Sequence, residues 1–486
     1  MKPILRKSLI VLGILALALG ALGYWVFTGN KSDKPVTATM GKRPTLVEAD
    51  AQTLPSVGVA RPVGWKAGEA PDAAKGLTVT RFAEGLDHPR TMLTLPNGDV
   101  LVAETNSPPR DDGGIVGSVM GWLLSRAGAG DPSPDRIALL RDGDGDGTAE
   151  QRFVLREKDL ASPSGMALGD GKLYVANHDA VLAFDFTPGD TALKGAPVKL
   201  MDLPAGGNHW MRNALLSPDG KKLYIAVGSA SNIGESGMEA EAGRAAIWEL
   251  DIATGKRRQY ANGLRNPNGL GWNPSTGELW TTVNERDMLG PDLVPDYLTN
   301  VPVGAQYGWP WVYWKEVLDW RVDHPMPEFM TEYTRKPEYA LGAHTAALGL
   351  LFSTGGNLMG PDFANGAFIA RHGSWNRHPL SGYDVIFVPF DANGNPAGAA
   401  KPVLTGFLKD QNETRGRPVW VQWDKSGALL VSDDTAGIIW RVVAPGAAPS
   451  VAPKPVVTER MPPQRRLQGE PTGQWQGRIT DDYATF

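Results

Sequence analysis

An all-β, six-bladed β-propeller preceded by an N-terminal transmembrane or signal helix is what the sequence predicts, on three observations. One hairpin grammar recurs six times between residues 89 and 433. Glycine (58) and proline (39) are abundant in a chain of 486 residues. No long 3.6-residue apolar period appears outside the N-terminus. Each hairpin is an apolar run, a turn of Gly with Pro, Asn, Asp or Ser, and a second apolar run, the pattern of two antiparallel strands. In chain order they are PRTMLTLPNGDVLVAE (89–104), PSGMALGDGKLYVAN (163–177), MRNALLSPDGKKLYIAVG (211–228), NGLRNPNGLGWNPSTGELW (262–280), a copy over 346–370 that opens AALGLLFSTGG and closes GAFIA, and PVWVQWDKSGALLVSD (418–433). The spacing leaves room for two more strands and a long loop per unit. Radial repetition of four-stranded sheets is how a propeller protects its strand edges. An irregular β-sandwich with coincidental hairpins is the alternative.

The flanks divide the chain into residues 1–29, a signal anchor or signal peptide; 30–72, a linker; 73–446, the propeller; and 447–486, a Pro-rich tail. Lys2, Arg6 and Lys7 precede twenty uncharged residues, 8–27. That run exceeds the usual 7–15-residue signal core and is long enough to cross a bilayer. It reads as an uncleaved anchor, with cleavage near Ala21-Leu22-Gly23 or Thr37-Ala38-Thr39 the competing possibility. Positive charge before the segment places the propeller outside the cytoplasm, in the periplasm and tethered to the inner membrane, with no membrane contact beyond that segment. Residues 1–34 hold five basic side chains against one acidic, so the net charge of −5 leaves −9 on the remainder. A nucleic-acid partner is therefore not expected. The absence of cysteine excludes disulfides and thiolate metal sites.

Candidate chemistry collects where the hairpins begin, the end of each innermost strand that faces a propeller's axis. Gly206-Gly207-Asn208-His209-Trp210-Met211-Arg212 enters the third hairpin. His209 has the side chain best suited to general-base work near neutral pH, although a lone histidine is more often structural. Arg265-Asn266 occupies the corresponding place one blade on, and Arg415 and Arg417 enter the last hairpin two residues apart, on one side of an extended strand. Four guanidinium groups around one mouth call for an anion there; separate surface ion pairs are the plainer explanation of any one of them.

His209-x-x-Arg212, Gly263-Leu264-Arg265-Asn266-Pro267, Tyr307-Gly308-Trp309-Pro310 and Arg415-x-Arg417 before Asp434-Thr435-Ala436-Gly437 occur in one order. Together, over residues 75–445, they resemble the soluble PQQ-dependent glucose and L-sorbosone dehydrogenases. Asn284-Glu285-Arg286-Asp287 and Pro295-Asp296-Tyr297 look closer to the sorbosone branch. The resemblance implies oxidation of a sugar or sugar-derived aldehyde, with pyrroloquinoline quinone (PQQ) and Ca²⁺ as cofactors and an electron acceptor that the sequence leaves unidentified. By the same resemblance His209 would take the hydroxyl proton, while Arg265 and Asn266 polarise the quinone oxygens. Arg415 and Arg417 would hold the PQQ carboxylates, and Arg212 would line the cofactor. Arg371, ahead of His372 and Arg377, would stand for a family lysine. The backbone carbonyls of Glu285 and Arg286 would bind Ca²⁺, although the family commonly has Gly-Pro there.

Asp142, Asp144 and Asp146, with Gly147 next, match the start of an EF-hand loop. Position 12 is Phe153 and not Glu, so a weak Ca²⁺ turn assisted by Glu150 and an empty solvated turn both stand. The aromatic-rich insertion over 311–339, with Trp311, Trp314 and Trp320, either shapes one substrate wall or forms its own small core. A Ca²⁺-dependent lactonase and a non-catalytic carbohydrate-binding propeller share the fold. The first needs an acidic and amide cage at the axis, and the second lacks a base.

Overall fold

A computed structural model describes residues 3–53, 55–109, 121–123, 125–128 and 130–456. The final part of the Pro-rich tail, 457–486, lies outside the described residues. Six antiparallel sheets follow one another along the chain, and the six predicted hairpins are their innermost strand pairs. Blade 1 comprises Pro89–Thr94, Val100–Glu104, Arg136–Arg141 and Gln151–Arg156; blade 2, Gly165–Gly169, Lys172–Ala176, Ala180–Asp185 and Val198–Asp202. Blade 3 comprises Ala214–Leu216, Lys222–Val227, Ala246–Asp251 and Arg257–Asn262; blade 4, Asn266–Trp272, Leu279–Asn284, Pro295–Asn300 and Tyr339–Ala343. Blade 5 is Ala347–Phe352, Gly366–Arg371, Asp384–Pro389 and Lys401–Thr405.

Blade 6 closes the ring. Its first three strands, Pro418–Trp423, Leu429–Asp433 and Ile438–Val443, come from the end of the propeller, and its outer strand, Thr78–Ala83, comes from the beginning. Ala83 lies opposite Ile439, and Thr78 opposite Val443.

Near the axis the innermost strands approach so closely that several positions admit only glycine. A Cβ on Gly165 would lie 2.4 Å from the Arg212 carbonyl oxygen, and one on Gly269 2.5 Å from that of Leu348. The recurring glycine in PSGM and NPNG is thus a packing requirement between blades. In blades 1, 4, 5 and 6 the innermost strand also shifts register just after it starts. Such bulges re-aim side chains, and they occur at the end where second strands finish and the loops to third strands begin. That end is the mouth. Between blades, apolar faces interlock, as where Trp440, Val431 and Leu429 of blade 6 meet Phe368, Phe387 and Val403 of blade 5.

Residues 30–72, expected as a linker, are instead a strap laid across blades 4, 5 and 6. Met40–Gly41 extends blade 4 beside Tyr339–Ala343, Arg61–Pro62 pairs with Glu413–Thr414, and Asp72–Ala73 extends blade 5 beside Lys401–Thr405. Two-residue strands leave no periodic pattern in the sequence, yet they cover exposed sheet edges. At the N-terminus, Pro3–Thr28 is one helix, whose segment Ile10–Thr28 has mean hydropathy 2.3 and contains no fully buried residue. It is long and apolar enough to cross a membrane.

Candidate active site

His209 is held by the loop that enters blade 3. Its Nδ1 lies 2.9 Å from the Ser229 carbonyl oxygen and 3.0 Å from Ser229 Oγ. A carbonyl only accepts, and the Ser229 hydroxyl donates onward to the Ser231 carbonyl at 2.7 Å. The ring proton therefore sits on Nδ1, and Nε2 carries the free lone pair. Burial, reinforced by the charge of Arg265, lowers the imidazole pKa to about 3 against the support of the Ser229 carbonyl. His209 is a neutral base with its tautomer fixed. Gly228 makes room for it, since a Cβ there would lie 2.6 Å from His209 Cβ and 2.3 Å from Asn266 Oδ1. Arg212, fully buried, turns back and donates to the carbonyls of His209 (2.7 Å), Met211 (3.0 Å) and Pro204 (2.8 Å). It clamps the histidine loop from beneath.

Arg265 also points into the protein. Its guanidinium donates to Asn232 O (3.1 Å), Asn232 Oδ1 (2.9 Å), Glu285 O (2.6 Å) and Asp287 Oδ2 (3.1 Å). Asp287 Oδ1 faces His344 Nδ1 at 3.1 Å, and His344 Nε2 faces the Gly290 carbonyl at 3.0 Å. Both ring nitrogens of His344 thus meet acceptors, and its pKa is raised although burial opposes this. Burial pushes Asp287 up, but the His344 hydrogen bond and the Arg265 charge outweigh it. Asp296, beneath the same loop, accepts from the Glu285 backbone N–H at 2.9 Å, and burial raises it to about 6.

Across the mouth, blades 5, 6 and 1 contribute a second cluster. Asp434 takes Arg90 on one side and His372 Nε2, at 2.9 Å, on the other. Despite burial its carboxyl is held far below the usual range by His372, Arg90 and Arg417. Burial and Arg417 lower His372 to about 4, so the neutral ring donates to an ionised Asp434. Arg417 donates to the His372 carbonyl at 3.0 Å and the Gly373 carbonyl at 3.1 Å and stacks on Tyr383 at 5.3 Å. Arg90 lies 5.3 Å over Trp210, the neighbour of His209, and its buried Nε has no partner among the described residues.

Between the two clusters, the starts of the innermost strands carry further unpartnered buried polar atoms. These are Thr91 Oγ1, both ends of the Asn213 amide, Asn266 Oδ1 and Asn268 Oδ1. Buried polar groups nearly always find partners, so a set of orphans around one axis marks a place for a polar guest or ordered water.

A family model described as TrAA12-like matches residues 136–299 and 327–444. The chain belongs to the TrAA12-like family. A PQQ-dependent sugar dehydrogenase of Hypocrea jecorina is 24% identical over 423 residues, 76% of this chain and 89% of that one. Among solved structures, the calcium structure of a Trichoderma reesei AA12 enzyme superposes with TM-score 0.63 at 20% identity, covering 79% of this chain and 98% of that one. The holo PQQ domain of Coprinopsis cinerea pyranose dehydrogenase superposes at 0.61 with 20% identity, covering 79% and 100%. In sequence, that organism's PQQ-dependent pyranose dehydrogenase is 32% identical over 135 residues, 24% of this chain and only 18% of that protein. The resemblance to PQQ-dependent sugar dehydrogenases drawn from the sequence motifs is borne out, and so is the six-bladed fold.

Several site residues expected from the sequence resemblance are used differently here. Arg371 forms a bidentate pair with Asp384 and donates to the Leu341 carbonyl at 2.8 Å, so it joins blades 4 and 5 and is not aimed at the mouth. Arg415 lies over Trp65 at 5.6 Å with Glu69 3.8 Å away. The strap draws it off the side that Arg417 keeps. Arg212 holds a loop and does not line a cofactor. The Glu285 carbonyl is taken by Arg265 and the Arg286 carbonyl faces the Val294 N–H at 3.5 Å; a cation placed there would meet a guanidinium, so this pair does not suit Ca²⁺. The Arg286 side chain, fully buried, runs the other way to Glu285, Asp319 and the Pro310 and Val312 carbonyls, and its charge is neutralised there. Asp142, Asp144, Asp146 and Glu150 do converge, with one oxygen from each within 4.8 Å of the others, but the turn follows the third strand of blade 1 and lies at the end away from the mouth. Of the insertion's tryptophans, Trp314 is buried in the core beside Tyr297 and Trp320 is exposed.

The donors present fit an anionic quinone. Arg90 and Arg417 would hold its carboxylates; Asn266, whose Nδ2 already donates to Asn284 Oδ1 at 3.3 Å, has only its second N–H to offer a quinone oxygen. Sequence reading missed Arg90, Trp210, Asp434 as a site residue, and the Asp287–His344 pair. Arg90 had a signal: it follows the first residue of PRT as Arg212 follows that of MRN.

Proposed function

We propose that the chain oxidises a sugar or sugar-derived aldehyde of aldose or sorbosone type in a PQQ-dependent reaction outside the cytoplasm, anchored in the inner membrane by residues 8–27. The observation that carries this is His209: a neutral imidazole with Nδ1–H fixed on Ser229, beside a mouth where several buried polar atoms lack partners among the described residues. Nε2 takes the proton of the substrate hydroxyl, which for an aldehyde is a hydroxyl of its hydrate, as the C–H bond on the same carbon breaks. PQQ, when bound, supplies a quinone that accepts the hydride. Asn266 would turn the second N–H of Nδ2, the first being directed at Asn284 Oδ1, toward the developing negative charge; Ser229 keeps the imidazole's orientation, and Arg212 keeps its loop. Ca²⁺ in the Asp142 turn would be structural, since that turn is remote from His209. Because the axis carries unpartnered amides and arginines whose nearby carboxylates are paired, the lactonase reading has less support.

Purified chain loaded with PQQ and Ca²⁺ should reduce a redox dye with aldoses or sorbosone and show no turnover without PQQ. His209→Ala should lose about 10³-fold in kcat, within the range for a deleted general base, with PQQ binding retained. Full turnover in that variant, or no binding of PQQ by the native chain, would overturn the proposal.

A further inference from the structure

The strap fixes how the propeller meets the membrane. The apolar helix ends at Thr28, and two residues later Asn30 donates to the Asn376 carbonyl at 2.6 Å and accepts, through its own carbonyl, from the His378 N–H at 3.1 Å. Ser32 follows at once, donating to Asp292 Oδ2 at 2.6 Å. Two residues span at most roughly 7 Å, so the loops after the second strands of blades 4 and 5 sit directly at the helix end. These mouth-side loops also carry Asp287 and His372. The Val57 N–H reaches back to the Val26 carbonyl at 2.7 Å, a second tie between strap and helix. On the opposite flank, Phe27 makes an edge contact with Trp122 (6.3 Å, 82°) in the mouth-side loop of blade 1. Trp122 is 53% exposed with Arg126 against its ring. Exposed Tyr24, Trp25 and Trp122 with Lys31 and Arg126 nearby form the amphipathic belt that settles at a bilayer interface. Between helix and strap is a cavity of about 500 Å³ lined among others by Leu22, Trp25, Asn30, Lys31 and Gln52. Asp50 lines the same cavity. A lysine and a carboxylate beside an apolar wall match a zwitterionic phospholipid headgroup, with phosphate to Lys31 and ammonium to Asp50.

We infer that the propeller docks mouth-first on the phospholipid bilayer, with a phosphoethanolamine-type headgroup in the cleft between anchor helix and strap. This rests on retention of the helix and not on the cofactor reading. The chain has no cysteine, so single labels are clean. Full-length protein bearing a fluorophore at Ser125→Cys, on the mouth side, or at Lys221→Cys, at the far turn of blade 3, is reconstituted in phosphatidylethanolamine–phosphatidylglycerol vesicles with a headgroup-attached quencher. The innermost strands separate these ends by about 20 Å, so quenching should be at least threefold stronger at 125. Trp122→Ala combined with Phe27→Ala should reduce the difference. Native mass spectrometry from mild detergent should show bound phosphatidylethanolamine that Lys31→Glu loses. Equal or reversed quenching, a mature chain starting after residue 28, cross-linking between copies through 125, or protein free of phospholipid would each overturn the inference. Dye-linked turnover, measured in parallel, reports on the cofactor reading separately.

Discussion

The two sides of the mouth use the same side-chain type for opposite ends. On the blade 3–4 side, Arg212 and Arg265 are buried and their guanidinium groups are taken up by the protein's own carbonyls, amides and carboxylates. On the blade 6–1 side, Arg90 pairs with Asp434 and lies over Trp210, while Arg417, whose charge also acts on Asp434, donates to the His372 and Gly373 carbonyls and lies over Tyr383. The first pair shapes the loops that present His209 and Asn266, and the second is proposed to supply positive charge to a guest. Arginine at a propeller mouth is therefore not evidence of anion binding until its donors have been traced.

Four measurements would sharpen or break this contrast. Arg265→Met should cost roughly 1.5–3 kcal/mol of stability, because it removes a charge-assisted hydrogen bond from half-buried Asp287, which keeps only His344; unchanged thermal unfolding with lost PQQ affinity would reverse the assignment. Arg417→Ala should weaken PQQ binding about 10–100-fold in fluorescence titration, the worth of a charge-assisted hydrogen bond of roughly 1.5–3 kcal/mol, while Arg371→Ala lowers the melting temperature and leaves PQQ affinity alone. Asp296 tests the electrostatics under the blade 4 loop. With its folded pKa near 6, the native state keeps a proton that the unfolded chain loses near pH 4. Stability should thus fall as pH rises through that window and level off above it, by on the order of 1–3 kcal/mol. Asp296→Asn should remove that slope in urea titrations; an unaltered slope would show that Asp296 does not titrate there. The smallest effect belongs to the Asp142 turn, where 1 mM Ca²⁺ should add about 1 kcal/mol for a site of 0.1–1 mM affinity. Calorimetry of Asp144→Asn would show no such gain.

The blades were legible because each repeats a period-2 pattern around a glycine turn, and local chemistry writes that pattern directly. His209 was legible because two glycines and a hairpin start frame it. Arg90–Asp434 was not, since ring closure joins positions 344 apart in sequence. Arg371 was misassigned for want of its partner, although Asp384 stands opposite it in the strand register. Arg415 and the strap failed together: pairings two residues long carry no period, and it is the strap's Trp65 that draws Arg415 aside.

Ring closure by Thr78–Ala83 sets an order of events during synthesis. The outer strand of blade 6 emerges first and waits for Ile438–Val443, made about 360 residues later; at roughly 5–20 residues per second that is some 20–70 s. For that interval it lacks its partner strand. Its alternation of exposed Thr78, Thr80 and half-buried Arg81 with less polar neighbours keeps such an edge from recruiting another chain. The strand's polarity, unremarkable in the finished sheet, is suited to the wait.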